Sequence, residues 1–208
     1  MKNNCINLLS TTFSVANKDI MQLFDTETFE NKIYQEEVFT IGEYENCIFN
    51  NCDFSQADIS GSVLIDCIFT NCNISLTKTN NTVFRTVKFS GCRMMGLHFQ
   101  TANEMGLAFS FDHCILDHSS FFKCKIKNTF FTHSSIKDVD FSEADLLGST
   151  FNHSDLTEAI FDQTNLENVD FTSSFNYTLD LDNNKVKGSK HSIHQVSTLL
   201  GKYKLIIE

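Results

Sequence analysis

From Phe49 onward an apolar residue returns at every fifth position, and a period of five fits neither of the common secondary structures. An α-helix repeats its apolar face every 3.6 residues and a strand every second residue. A period of five instead describes a chain that turns a corner after each five-residue side and points the middle of each side inward. The first series runs Phe49, Phe54, Ile59, Leu64, Phe69, Ile74, Thr79, Phe84, Phe89, Met94, Phe99, Glu104 and Phe109, broken only by Thr79 and Glu104. The phase then slips by two residues within NEMGLAFSFDH. A second series, Phe111, Leu116, Phe121, Ile126, Phe131, Ile136, Phe141, Leu146, Phe151, Leu156, Phe161, Leu166 and Phe171, has no exception.

Two residues before these there is usually a small one: Cys47, Cys52, Ala57, Ser62, Cys67 and Cys72 in the first series, and Cys114, Ser119, Cys124, Thr129 and Ser134 in the second. Each side therefore offers one large and one small inward side chain. Four sides close a coil of 20 residues, and identical residues recur at that longer period, as in Phe49, Phe69 and Phe89 or Phe111, Phe131, Phe151 and Phe171. With coils one strand spacing apart, about 4.8 Å, residues 44 to 175 make a rod on the order of 30 Å long. The expected class is all-β: a right-handed quadrilateral parallel β-helix that draws its stability from stacking of neighbouring coils and needs a cover at each end.

The five-residue blocks CDFSQ, ADISG, CNISL, VDFSE, ADLLG and SDLTE resemble the pentapeptide-repeat proteins. Within that family the chain is similar to the gyrase-protecting members of the quinolone-resistance (Qnr) and albicidin- and microcin-immunity type, through GCRMMGLHF, FSFDHCIL, FNYTLDLDNNKVK and the closing LLGKYKLIIE. The resemblance implies a dimeric rod that imitates B-form DNA and acts on DNA gyrase, with topoisomerase IV as a related target. The quinolone-resistance type carries two loops that interrupt its coils. Here only the slip near 103 to 113 matches the second of them.

Three segments are expected: a non-repeating N-terminal cap over 1–43, the β-helix over 44–175, and a capping or dimerising segment over 176–208. In the first, Ile20, Met21, Leu23, Phe24, Phe29, Ile33, Tyr34, Val38 and Phe39 suggest that part of the segment packs over the first coil. In the last, Ser192 can cap a short helix with Ile193, Val196, Leu199 and Leu200 at helical spacing, Gly201 can stop it, and KYKLIIE reads as a strand. Ile193, Val196, Leu199, Leu200, Leu205, Ile206 and Ile207 are the expected homodimer interface, because an uncovered final coil leaves open backbone edges.

The formal charge of −10 argues against direct binding to nucleic acid, which needs clustered Lys and Arg, and favours basic partners or proteins that themselves bind DNA. No apolar run approaches a membrane span. The N-terminus has one early lysine, a weak apolar region broken by Ser and Thr, and no small-x-small cleavage site, so a cytoplasmic protein is expected. Seven of the eight cysteines sit at small inward positions and read as buried thiols rather than as a disulfide or metal framework. His113, His133 and His153, 20 apart, read as an exposed ladder rather than a metal site. No cofactor is expected.

From Asp138 to Asn184 there is no Lys or Arg, while acids are frequent. Asp138, Asp140, Glu143, Asp145, Asp155, Glu158 and Asp162 must point outward, since inward places are taken, and Asp138 should share a column with Glu158. Three readings stand at this point: a solvated surface in which aspartate before the central residue belongs to the repeat itself, a topoisomerase-binding face that mimics DNA, and a carboxylate pair of a glycan-cleaving β-helix. Short sides leave no long loops for a substrate groove, so an enzyme is not expected. A structural or adaptor module with another protein partner is the alternative to gyrase protection. Asn103, Glu104, Met105 and Gly106 are the candidate protruding contact, because Glu104 does not suit an inward place.

Overall fold

The computed structural model describes residues 21–35 and 38–205. Eleven short strands are all parallel: β1 (Gln22–Asp25), β2 (Thr28–Glu30), β3 (Gly42–Glu45), β4 (Ile48–Asn50), β5 (Val63–Ile65), β6 (Ile68–Thr70), β7 (Val83–Arg85), β8 (Val87–Ser90), β9 (Phe109–Asp112), β10 (Phe130–Thr132) and β11 (Thr150–Asn152). They form two sheets, one ordered β1-β3-β5-β7 and the other β2-β4-β6-β8-β9-β10-β11. Partners lie 20 residues apart, as in Phe49 opposite Phe69, except from β8 to β9, where they lie 22 apart. Single bridges such as Asp53 to Asn73 and Asp140 to Ile160 continue the same register on the sides too short to count as strands. The result is the quadrilateral parallel β-helix that the period of five demands.

Nearly every corner is a residue in the left-handed region, two places after a central one: Asn46, Asn51, Gln56 and Gly61 round one coil, His133, Asp138, Glu143 and Gly148 round another. L-residues enter this region reluctantly, Asn and Asp least so. The recurrence of Asn at Asn46, Asn51, Asn71, Asn81, Asn128 and Asn168 follows from that cost. The corner is held because its amide donates to the next coil, as Asn51 does to the Thr70 carbonyl at 2.9 Å.

The interior is a set of aromatic columns. Phe131 stacks on Phe111 and Phe151 at centroid distances of 5.1 and 4.7 Å, and Phe141 on Phe121 and Phe161 at 5.2 and 5.2 Å. Between neighbouring sides the rings meet edge to face, 83° between Phe131 and Phe141. Rings thus stack along the rod and meet edge-on around it, both favoured arrangements for the aromatic quadrupole, and each adds about 1.5–3 kcal/mol by burial. Seven cysteines, Cys47, Cys52, Cys67, Cys72, Cys92, Cys114 and Cys124, are buried free thiols at the small positions. Burial pushes the Cys124 thiol up to about 12, which leaves it protonated and unreactive. Thr79 is also buried, its hydroxyl 3.1 Å from that of Thr101, so this break in the series is a satisfied polar core position.

Two expected boundaries and one expected strand change. The coils begin ahead of residue 44, since β1 and β2 pair with β3 and β4. Phe24, Phe29, Tyr34 and Phe39 are themselves five apart, and the first three stack on the next coil, Phe29 on Phe49 at 4.8 Å. The coils also run past 175: Val186 follows Leu166, and His191 stacks on Phe171 at 5.4 Å. The segment KYKLIIE is not a strand where it is described, because Gly201–Tyr203 forms a 3-10 turn and Lys204 is left-handed. Ahead of it, α1 (Ile193–Leu199) starts after Ser192 as expected, although the Ser192 side chain makes no capping bond.

Candidate interaction surfaces

The two-residue slip lies where the sequence placed it. β8 pairs with β9 at a spacing of 22, Val87 opposite Phe109 and Phe89 opposite Phe111. Asn103 is half-buried, and Glu104, Met105 and Gly106 are exposed, Met105 at 75%. Asn103 folds the segment back through its side chain, which accepts from the Met105 amide at 2.9 Å. Gly106 is left-handed at φ +80°, as the corners are, and Leu107 after it is buried, while Glu104 leaves the central place of this side empty. Phe109 fills that space from the neighbouring small position, its ring 5.4 Å from Phe84 and 5.2 Å from Phe99. The insertion therefore leaves the core closed and pushes Glu104 and Met105 outward.

The acidic residues do face out. Asp138, Glu143 and Glu158 occupy corners with φ of 53°, 56° and 57°, and Asp140, Asp145, Asp155 and Asp162 are half-exposed on the sides. Asp138 and Glu158 share the corner column of His118. Three of the side aspartates also shape the backbone, their carboxylates accepting the amide two residues on: Asp140 from Ser142 at 2.9 Å, Asp145 from Leu147 at 3.3 Å and Asp155 from Thr157 at 3.2 Å. These Asx turns explain why Asp precedes the central residue so often.

Lysines one coil earlier temper this charge. Lys123 meets Glu143 at 3.4 Å, Lys127 meets Asp145 at 3.1 Å and Lys137 meets Asp155 at 3.2 Å, while His118 lies 3.6 Å from Asp138. Such exposed pairs contribute about 0–1 kcal/mol each but cancel much of the local field. Burial alone would raise the Asp155 carboxyl; hydrogen bonds from Thr157, Asn176 and Lys137 outweigh it and hold the group below its ordinary range. Asp140, Glu158 and Asp162 have no ion pair among the described residues, although the Asn183 amide bonds Asp162. Reading the absence of lysine from 138 onward missed these pairs, and the signal was a spacing of 18 or 20 between lysine and acid.

At the C-terminal end Leu199 is buried against the last coil, whereas Ile193 is 79% and Leu205 58% exposed. Val196 and Leu200 are half-buried, and Ile206 and Ile207 lie outside the described residues. Lys202 fastens the end by bonding Asp180 at 2.7 Å and Asp182 at 2.9 Å, which lowers both carboxyls and raises the lysine. Among the described residues no helix is long and apolar enough to cross a membrane.

The histidine ladder is present as expected, His113 to His133 at 4.7 Å and His133 to His153 at 5.0 Å, with rings nearly parallel. Its surroundings include one further ligand-capable group, Asp112, whose carboxylate lies 2.9 Å from the His113 Nδ1.

Several known structures resemble this chain. Trypsin-treated QnrB1, described as a plasmid-mediated fluoroquinolone resistance protein, is 20% identical over 90% of this chain and 100% of its own, with a TM-score of 0.47. Full-length QnrB1 is 21% identical over 88% and 100%, with a TM-score of 0.42. HetL, a pentapeptide-repeat protein involved in heterocyst differentiation regulation in Nostoc sp. strain PCC 7120, is 11% identical over 81% and 84%, with a TM-score of 0.25. No curated protein matches the sequence. The model of the pentapeptide repeat region matches residues 43–110 and 107–171, the same stretch in which the five-residue sides, left-handed corners and aromatic columns were found, and the chain belongs to the pentapeptide-repeat family.

Proposed function

We propose that this protein is a non-enzymatic, dimeric, cytoplasmic rod that binds a type II topoisomerase, DNA gyrase above all, and protects it from an inhibitor. The observation that carries the reading is the acidic half of the rod, where Asp138, Asp140, Glu143, Asp145, Asp155, Glu158 and Asp162 project from two successive coils on rigid corners and sides. Carboxylates held at fixed spacing along a rod complement a groove that evolved to bind phosphates, and such complementarity acts through encounter rate and register. The motif resemblance to gyrase-protecting members of the family supports the choice of partner. The exposed Glu104 and Met105 at the insertion would touch the enzyme beside the cleaved DNA, and Ile193 and Leu205 would meet a second copy.

A gyrase supercoiling assay with quinolone, albicidin or microcin tests the proposal. The parent protein restores or inhibits supercoiling at micromolar concentration. A variant carrying Asp138→Lys, Glu143→Lys and Glu158→Lys, all at corners, keeps its fold, since Lys123 already occupies such a corner at φ 59°, and loses the effect. Equal activity of the folded variant would sink the DNA-mimic reading. An inert parent protein would point instead to an adaptor role. Deleting residues 192–208 should halve the molecular mass in solution, and an unchanged mass would contradict the dimer.

A further inference from the structure

We propose that Asp112, His113 and His133 form a binding site for a borderline divalent transition metal, Zn²⁺ in the first place. One ligand-capable atom from each of these three side chains lies within 4.8 Å of the other two, and all three residues are exposed. A tetrahedral zinc holds nitrogen and oxygen ligands at about 2.0–2.2 Å, so its ligands lie roughly 3.4 Å apart. Closing the remaining distance needs only rotation of exposed side chains, while the backbone is already set. His113 and His133 are corner residues at φ 53° and 47°, locked by amide bonds to the following coil, His113 to Thr132 at 2.9 Å and His133 to Asn152 at 2.8 Å. Little order remains to be imposed when the metal arrives.

A ladder of parallel imidazoles alone does not make this site, because stacked rings present their nitrogens side by side. The carboxylate is the added element. Glu30, Asn50, Thr70, Ser90, Asp112, Thr132 and Asn152 occupy one column, and Asp112 is its acid next to the histidines, Glu30 lying at the far, N-terminal end. Asp112 stands beside His113 and supplies a hard anionic ligand. On the other side of His113 the corner above is Gly91, over which the Asn71 side chain lies; the three ligand residues are themselves exposed, so the metal can reach them from solvent and water can complete its coordination. Arg93 lines the same depression and His153 extends the ladder, one cation and one further imidazole at the margin. The metal would tie the coil that ends the insertion to the one after it.

The test is a titration of the full chain, freed of metal by chelator, with ZnCl2 followed by calorimetry and by thermal denaturation. One zinc per chain is expected, with a rise in midpoint temperature because the folded form alone assembles the ligands. His133→Asn is the main variant, since Asn occupies many other corners and keeps the left-handed turn. It should weaken zinc by about tenfold or more and abolish the temperature rise, with Asp112→Asn next in effect and His153→Asn nearly silent. Circular dichroism establishes that each variant is folded. Absence of saturable zinc binding by the parent chain, or binding by folded His133→Asn as tight as the parent's, would overturn the proposal.

Discussion

Removing Met105 and Gly106 restores a 20-residue coil between Phe89 and Phe111, and the packing at the insertion predicts that this regularisation destabilises the protein. Counting back five places from Phe111 in the shortened chain brings Glu104 to the central inward position. At neutral pH a carboxyl forced to protonate costs about 1.36 kcal/mol for each pH unit above its ordinary value near 4.3, or about 4 kcal/mol. Glu104 also competes with the Phe109 ring, which already fills that space among Phe84, Phe89, Phe99 and Phe111. Overpacking of this kind costs about 1–3 kcal/mol more. The sum, roughly 5–7 kcal/mol, is comparable to the whole stability of many domains. Urea denaturation followed by circular dichroism measures it. The same deletion combined with Glu104→Ala removes the carboxylate and returns the space to Phe109, so most of the loss should be recovered. A deletion variant as stable as the parent would refute the assignment of Phe109 as the filler and of Glu104 as the excluded residue. The recovered variant is also a folded rod without its projection, suited to the gyrase assay.

Three further outcomes are expected. Ser62 is buried with an unpartnered hydroxyl at a place that Ala57, Ala144 and Ala159 fill on other sides, so Ser62→Ala should raise stability by about 1 kcal/mol in the same denaturation experiment. Phe131→Ala opens a gap between stacked rings and should lower stability by about 3–5 kcal/mol, read from the urea midpoint. His191 closes an aromatic column, with Tyr177 Oη 3.0 Å from its Nδ1 and Ser189 Oγ 2.9 Å from its Nε2. Burial lowers its pKa, with Asp170 opposing, so folding favours the neutral ring; this stability is complete above the unfolded value near 6.5 and is lost as pH falls below it. Amide exchange in residues 177–200 should therefore accelerate between neutral pH and about pH 5 after correction for intrinsic rates, and His191→Phe should flatten that dependence.

The amino-acid sequence determined the architecture because a solenoid is built from local, repeated decisions. Phe131 and Phe141 are inward for the same reason as every fifth residue, Cys124 is small because a corner leaves no room, and the slip at Asn103 to Gly106 shows as a change of phase. The ends were harder to read. Tyr34, Tyr44 and His191 stand where Phe or an aliphatic residue is usual, and a polar aromatic hides the period until its partners are seen, the Thr40 carbonyl for Tyr44 and Tyr177 and Ser189 for His191. Surface chemistry was the least legible. An acid's local sequence says that it faces out, but which lysine neutralises it depends on the adjoining coil, 18 or 20 residues away. Asp112 beside the histidine ladder, Lys137 over Asp155 and Lys202 across Asp180 and Asp182 were decided only when coil stacked on coil, because electrostatics follows distance in space and the sequence records distance along the chain.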